Sequence, residues 1–341
     1  MRPIDLKNIN FPTKKDEEFR KIDLSKLLND EYDKTKDYAL DLTLVDKKLK
    51  GLGEFSKINE TLESKTYQLK ISKDTKEPIV LVHKLDEDKT IYTNSLEIIV
   101  EEGVNADVIE IFLSKCQESF YSINRSLQVK QAGNLNYIKY QDIQQSNKII
   151  YNCDTNLKKE ASLYKTNFEI GDGINLNLYN TNLNEEDSKY NLFGLVRLKN
   201  SANSSSIFNT LHNTKNALSN IKYKHSLHDK SKAVYEAKSI VNQKALNSKV
   251  FQASNTILLS NDATIFAKPH LEISIDELEA SHAATTGGLD KDQLHYLQTR
   301  GIPKDMAFGM LLKAFENEIF DTIVNEKAKE LILGFKRSDY V

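Results

Sequence analysis

From Thr66 to Ile273 the chain offers one short β-type run after another, with no helix-period segment of useful length between them. Among the runs are TYQLKIS (66–72), PIVLVH (78–83), SLEIIV (95–100), DVIEIFL (107–113), NYIKYQDI (136–143), SLYKTNFEI (162–170), NLFGLVRL (191–198), YEAKSIV (235–241) and ATIFAKPHLEI (263–273). β-Branched and aromatic residues fill them, and Asn, Gly, Ser and Lys fill the gaps. So long a series of strands with nothing between them predicts an all-β body.

The turns resemble one another. A turn residue, a small or apolar residue and then a β run recur at Ala106, Leu135, Ala161, Ala202, Ala245 and Ala263, at intervals of 29, 26, 41, 43 and 18 residues. If each long gap hides one anchor, the repeat is about 20 to 30 residues, the range of solenoids and β-helices. Sandwiches and barrels also have short, evenly spaced strands, and periodicity alone does not choose. Two features favour the solenoid. Asn-Gly and Asp-Gly hairpin signals are few, and Asn and Ser gather at turns, as in NSANSSS (200–206), where a parallel coil must bend.

The flanks differ from this body, and the spacing predicts three regions: 1–65 helical and irregular, 66–288 the β core, 289–341 helical. In FPTKKDEEFRKIDLSKLL (11–28), Thr13 reads as a helix cap and Phe19, Ile22, Leu24 and Leu27 as apolar anchors. At the other end, LEISIDELEASHAATTGGLD (271–290) starts with alternation: Leu271, Ile273 and Ile275 on one side, Glu272, Ser274 and Asp276 on the other. A small-residue turn holding His282 is expected next. Asp290 with Gln293 then reads as a capping pair, Gly301 as a helix stop and Pro303 as the first turn of another helix. Ala307, Met310, Leu311, Ala314, Phe315 and Phe320 form an apolar stripe, continued by Ile323, Val324, Ala328, Leu331 and Ile332. A tail of this size must pack on the β body or on a partner.

Composition excludes several classes. The 341 residues carry a net charge of −2 with 28% charged and 39% hydrophobic residues, so nothing global argues for nucleic acid. No apolar run approaches the roughly 18 residues of a membrane span. The start, MRPIDLKNINF, lacks an apolar signal core, and Cys116 and Cys153 cannot make a disulfide framework; a reducing cytoplasm is expected.

Common catalytic signatures are missing: no phosphate-binding Walker loop, no His-Glu-x-x-His, no Gly-x-Ser-x-Gly, no Cys-x-x-Cys. The two cysteines read as buried, inert thiols. His225 and His228 lack a third strong ligand nearby and read as surface histidines; His83, His212 and His270 read as packing or surface groups, and His295 as a solvent-facing or interface group on a helix. His282 differs. Ser281, Ala283, Ala284, Thr285 and Thr286 are small neighbours that leave its imidazole reachable, and imidazole is a good ligand for iron and zinc. On pattern alone a hydrogen-bonded histidine at a strand end is the competing reading.

The segment ASHAATTGGLDKDQLHYLQTRGI (280–302) resembles the C-terminal signature of the SufB/SufD family of the SUF iron–sulfur cluster assembly machinery. The likeness extends through 231–273 and returns in FPTKKDEEFRK (11–21), where Phe19 takes the place of the family's usual Trp. The resemblance implies a right-handed parallel β-helix flanked by N- and C-terminal helical regions. It also implies a non-catalytic scaffold subunit that pairs a SufB chain with a SufD chain. Each binds one copy of the SufC ATPase through its C-terminal helices, which here puts Ala307, Met310, Leu311, Ala314 and Phe315 in the docking region. A nascent iron–sulfur cluster would pass through the complex, and the complex would also hold reduced FAD; a homodimer is open to the isolated chain.

Details favour the SufD branch. SufB has a functional Cys before the family's Pro-x-x-Glu; aligned on Pro269 and Glu272, that place here is Ala263. SufB has Glu on both sides of the signature histidine; here stand Ser281 and Ala283. Many SufD chains carry Cys two residues before that histidine, and this one has Ala280. His282 matches the assembly histidine, implied to ligate a nascent cluster at the SufB–SufD interface. The competing expectations are a SufB-type chain bearing the cluster itself and a β-helix binding or carbohydrate-active protein. The latter would need clustered carboxylates and an export signal, and the sequence offers neither.

Overall fold

A coil of chain that buries a flat face on each side needs strands apolar in alternate positions and corners that can turn left-handed. Both are present. A computed structural model describes Leu6, Ile9 and residues 11–49, 53–144 and 146–338. Two short strands come first, β1 (Lys34–Asp37) and β2 (Thr43–Val45), then β3 (Thr66–Ile71), β4 (Ile79–Leu85), β5 (Thr90–Val100) and β6 (Asn105–Ser114). There follow β7 (Phe120–Val129), β8 (Asn134–Ile143), β9 (Lys148–Leu157), β10 (Ser162–Gly171), β11 (Ile174–Leu183) and β12 (Lys189–Leu198). The series ends with β13 (Asn203–His212), β14 (Leu218–Leu227), β15 (Lys232–Val241), β16 (Ser248–Leu258), β17 (Thr264–Ile273) and β18 (Leu278–Gly287).

Odd and even strands separate. From β3 on, each strand pairs in parallel with the strand two places along, giving a 10-stranded sheet that ends on β17 and an 8-stranded sheet that runs from β4 to β18. This is a parallel β-helix. Adjacent coils are in register at offsets from 26 residues (Lys148 beside Ile174) to 32 (Lys232 beside Thr264). Most corners of the coils turn left-handed. Lys89, Glu118, Ser146, Asn200 and Asp229 hold positive φ on one side; Gly103, Ala132, Glu160, Asp187, Asn216 and Asn247 do so on the other. Asn and Asp, whose side chains tolerate that conformation, recur there.

Three large apolar cores and a small one at the last coils result. Inward side chains such as Leu96, Tyr121, Leu135, Leu163, Leu198 and Tyr235 fill the space between the sheets. On the outside of the 10-stranded sheet, Ile91, Phe120, Ile150, Leu176 and Ile207 are covered by Phe19, Ile22, Leu24, Leu27, Tyr32 and Phe55. The four predicted N-terminal anchors are thus buried, but the helix expected from Thr13 does not form. Thr13–Asp16 is a turn, with the Thr13 backbone N–H donating to Asp16 Oδ2 at 2.7 Å, and the only α-helices in the described N-terminal region are α1 (Ser25–Leu28) and α2 (Lys57–Thr61). The anchor spacing follows the surface of a sheet rather than one helix face. This region is also less helical than expected because β1 pairs with β5 and β2 with β3.

The outside of the 8-stranded sheet is covered from the C-terminus by α4 (Lys304–Phe320) and α5 (Glu326–Ser338), which follow α3 (Lys291–Thr299). Ile319, Phe320, Ile323, Ala328 and Ile332 pack on Ile109, Ile111, Ile138, Tyr140, Phe168, Ile170 and Leu195. Val324 of the predicted stripe stays exposed.

The interior is not purely apolar. Glu110, fully buried, accepts from Arg125 Nε at 2.9 and 3.0 Å on its two oxygens, from His83 Nε2 at 2.7 Å and from the Tyr137 hydroxyl. Burial works to raise the Glu110 pKa, but the Arg125 charge and the His83 hydrogen bond outweigh it and hold the carboxylate below its ordinary range. One coil pair further on, Lys139 Nζ donates to Asn177 Oδ1 and Tyr179 Oη, both at 2.7 Å, with Glu169 Oε1 at 3.6 Å. Burial pulls Lys139 down to about 7 despite that carboxylate.

Two buried imidazoles set an acid limit on this fold. Burial brings His212 down to about 4 and His225 to about 3. Both folded values lie below the unfolded value, so the unfolded chain takes up the protons first and stability is lost as pH falls below about 6.5. The expected loss for His212 between pH 7 and pH 4 is roughly 3 kcal/mol, at about 1.4 kcal/mol per pH unit. Urea midpoints measured across that range should fall steeply in the native chain and less in a His212→Gln, His225→Gln double variant. An unchanged slope in the variant would place the titrating groups elsewhere.

Candidate functional site

The β-helix is open at one end. β17 is the last strand of one sheet and β18 the last of the other, and the exposure of Phe266 (40%) and Ile273 (42%) marks the uncovered final coil. The expected alternation holds only in part: Leu271 and Ile275 are half-buried against Val241, Ala245 and Val250, but Ile273 between them is exposed and β17 ends there. The turn comes earlier than expected, after Ile273 rather than at the small residues. Leu278–Gly287 is strand, so His282 lies on β18 and not in a turn. Ala, Ser and Thr serve there because backbone pairing with β16 needs no large side chain.

His282 stands in register with Gln252 of β16, at the end of a ladder that runs Tyr137, Lys165, Leu192, Ile221, Gln252, His282 from β8 to β18. Every earlier member of that ladder is buried in the interior; His282 is exposed because no further coil covers it. Gln252 behind it is held by hydrogen bonds to Ser239 Oγ at 2.7 Å and the His270 carbonyl at 3.3 Å. Ala280, where relatives of the SufD branch were expected to carry Cys, is half-buried beneath the same end, and Ala263 is buried at the corner before β17. The imidazole is thus an exposed donor on an edge strand. Among the described residues no cluster of three or more His, Cys, Asp or Glu side chains could hold a metal ion. An iron site on this face therefore needs ligands from elsewhere.

The other histidines fall as follows. His270 and His295 are exposed, and His83 is fully buried. His225, read as a surface group, is 1% exposed and contacts Thr256 Oγ1 at 3.4 Å, so the reading is corrected; a strand residue on the inward parity is hidden whatever its polarity.

The C-terminal helices form a second feature. The Asp290 carboxylate accepts from the Asp292 and Gln293 amides at 2.8 and 3.1 Å, as the cap predicts, and Gly301 closes α3 with φ +82°. Pro303 caps α4 rather than entering its first turn. The second half of α4 is clamped to the sheet: Glu316 Oε1 meets Arg197 Nε at 3.2 Å and Ser226 Oγ at 2.9 Å, and Lys224 Nζ reaches the Phe315 carbonyl at 3.0 Å. The five predicted docking residues do not share one face. Ala307 is buried, Leu311 and Phe315 are half-buried, and Met310 and Ala314 are exposed. What does project is the hairpin of α3, which has no buried residue, and the first half of α4, with Tyr296, Met306 and Met310 exposed by 56%, 62% and 48%. Sequence spacing missed Tyr296 and Met306. Their signal was apolar residues on a helix whose opposite face is also uncovered.

Residues 83–315 match the family model for the SufBD core domain of SUF-system FeS cluster assembly. The chain is 28% identical over 235 residues to the iron–sulfur cluster assembly protein SufD of Escherichia coli, covering 68% of this chain and 55% of that one. It is 26% identical over 240 residues to the chloroplastic protein ABCI7 of Arabidopsis thaliana, covering 68% and 50%. A Plasmodium berghei SufD is 25% identical over 230 residues, covering 63% and 17%. The chain thus spans about half the length of the first two relatives. No helix among the described residues is long and apolar enough to cross a membrane. With a family match over the coils, the open end and the first half of α4, this chain belongs to the SufB/SufD family of SUF-system iron–sulfur cluster assembly proteins.

Proposed function

We propose that the chain is a SufD-type, non-catalytic scaffold subunit of a SUF assembly complex. It joins a SufB partner at the open end of the β-helix, with His282 supplying one nitrogen ligand to a nascent cluster whose remaining ligands come from that partner. The observation that carries this reading is His282, exposed on the last strand at the end of an otherwise buried ladder. Two unpaired strand edges side by side favour a partner that continues both sheets. Ala263, where a SufB chain has its functional cysteine, supports the SufD assignment.

SufC docks on the hairpin of α3 and the first half of α4. Exposed methionines and a tyrosine suit an adaptable apolar interface. Truncation after Gly288 would be a poor test, because it also strips α4 and α5 from the 8-stranded sheet and bares Ile111, Tyr140 and Phe168. A Met306→Glu, Met310→Glu double variant leaves that core intact. Apolar anchors of this kind commonly cost about 2 kcal/mol each, so SufC affinity should fall roughly a hundredfold or more, with melting temperature unchanged. Coexpression with SufB and SufC followed by co-purification reads the result. SufC retained at full stoichiometry and affinity in the variant would overturn the docking assignment; failure of the native chain to bring down SufB would overturn the scaffold reading itself.

A further inference from the structure

Inside the β-helix, far along the His282 ladder, sits a pair that the assembly role does not use. Lys165 points inward from β10 and Cys153 inward from β9, one from each sheet, and Lys165 Nζ donates to Cys153 Sγ at 3.2 Å. Both side chains are buried, Lys165 at 0% and Cys153 at 1% exposure. The ammonium stem lies among tyrosine rings, with Nζ 4.8 Å from the Tyr137 centroid, 5.2 Å from Tyr151 and 4.7 Å from Tyr179. Among the described residues no carboxylate forms an ion pair with it: the interior carboxylates Glu110 and Glu169 are bound to Arg125 and to Lys139. A buried lysine normally lies beside a carboxylate; this one faces sulfur and π faces instead.

Three physical consequences follow. Burial depresses the Lys165 pKa, so the neutral amine with its free lone pair is within easier reach than on any surface lysine. The nitrogen is already at van der Waals contact with the sulfur, so bond formation needs little movement. The surroundings are also polar: Asn167 Oδ1 and Asn177 Nδ2 are buried without hydrogen-bond partners, and both residues join this cluster, Asn167 through Tyr179 Oη and Asn177 through Lys139.

We propose that Cys153 and Lys165 are an oxidative modification site, in which a peroxide converts the pair into a covalent sulfenamide that staples β9 to β10. In the first step the Cys153 sulfur attacks one peroxide oxygen. The S–O bond forms, the O–O bond breaks, and the thiol proton leaves with the departing oxygen as water. Sulfur is oxidised by two electrons and the peroxide reduced by two. In the second step the Lys165 lone pair attacks the sulfenic sulfur. The S–N bond forms, the S–O bond breaks, and hydroxide takes a proton from nitrogen and leaves as water, with no further redox change. Each link consumes one thiol, one amine and one hydrogen peroxide and releases two waters. Capture by the adjacent amine protects the sulfur from the irreversible step to sulfinic acid, and a thiol reductant reverses the link.

The test uses the folded chain carrying Cys116→Ser, which removes the other thiol and with it any disulfide. It is treated with hydrogen peroxide, digested without reduction and mapped by mass spectrometry. The expected product is a peptide pair joining Cys153 to Lys165, about 2 Da lighter than the sum of its parts and separated again by dithiothreitol. Lys165→Met should abolish the link and let Cys153 proceed to sulfinic acid at the same peroxide dose. The map of the Cys116→Ser chain decides the matter even if the methionine variant fails to fold. Sulfinic acid at Cys153 beside unmodified Lys165, or no reaction at Cys153 while surface methionines oxidise, would overturn the proposal.

Discussion

Arg125→Ala should destabilise the chain by about 3–5 kcal/mol, the usual cost of removing one partner of a buried ion pair. The guanidinium is fully buried, holds both oxygens of Glu110 and donates to the Asn124 carbonyl at 2.8 Å and the Asn94 carbonyl at 3.3 Å. Truncation leaves a buried carboxylate with only the His83 and Tyr137 hydrogen bonds, and it also opens a cavity beneath Phe112, whose ring lies 5.8 Å from the guanidinium carbon. Glu110→Gln removes the opposite charge and should cost a similar amount at neutral pH. The Arg125→Ala, Glu110→Gln double variant should cost less than the two single losses added together, because neither charge is then left unpaired. Denaturant unfolding of the four proteins checks this; strict additivity would mean that the pair does not act as a unit.

Much of the architecture could be read from the residues, and the misreadings have a common origin. Over the middle coils both faces of each sheet are covered, so the polar–apolar alternation that marks a half-buried strand loses its meaning. In NYIKYQDI (136–143) simple alternation would put Ile138 and Tyr140 inside and Lys139 and Gln141 outside. The structure does the reverse: Lys139 and Gln141 are buried in the interior, and Ile138 and Tyr140 meet the C-terminal helices. The interior charges, and with them the Lys165–Cys153 pair, were therefore invisible to pattern. The same cause hid His225.

The repeat was blurred for a different reason. The anchors Ala106, Leu135, Ala161 and Ala245 precede or open strands of the 8-stranded sheet, whereas Ala202 and Ala263 precede strands of the other, so one list mixed two corners of each coil. Sorted by sheet, the register offsets fall between 26 and 32 residues, as Lys148 beside Ile174 and Lys232 beside Thr264 mark. The Asn and Ser turns carried the stronger signal, since corners such as Asn200, Asn216 and Asn247 need left-handed backbone. At the open end, the small residues around His282 looked like a turn because strand propensity is weak in Ala and Gly; pairing with β16 overrides it.

The expected functional effect is largest at His282. Its side chain is exposed and covers no core, so His282→Ala should change stability by no more than about 0.5 kcal/mol and leave assembly with SufB and SufC intact. Cluster formation should nevertheless fall sharply, because the alanine methyl cannot replace a donor nitrogen and, among the described residues, no cluster of three or more His, Cys, Asp or Glu stands ready to take its place. His282→Cys should recover part of the loss, since thiolate also ligates iron. In the proposed site an imidazole ligand would leave less negative charge than an all-thiolate set. The deciding measurement is the iron and sulfide content of the complex purified without air from cells, native against His282→Ala, with melting temperature recorded on the same samples. The account predicts a severe loss of both elements at unchanged melting temperature. Normal iron and sulfide in the alanine variant would contradict it, as would a fall in melting temperature that matches the loss of cluster.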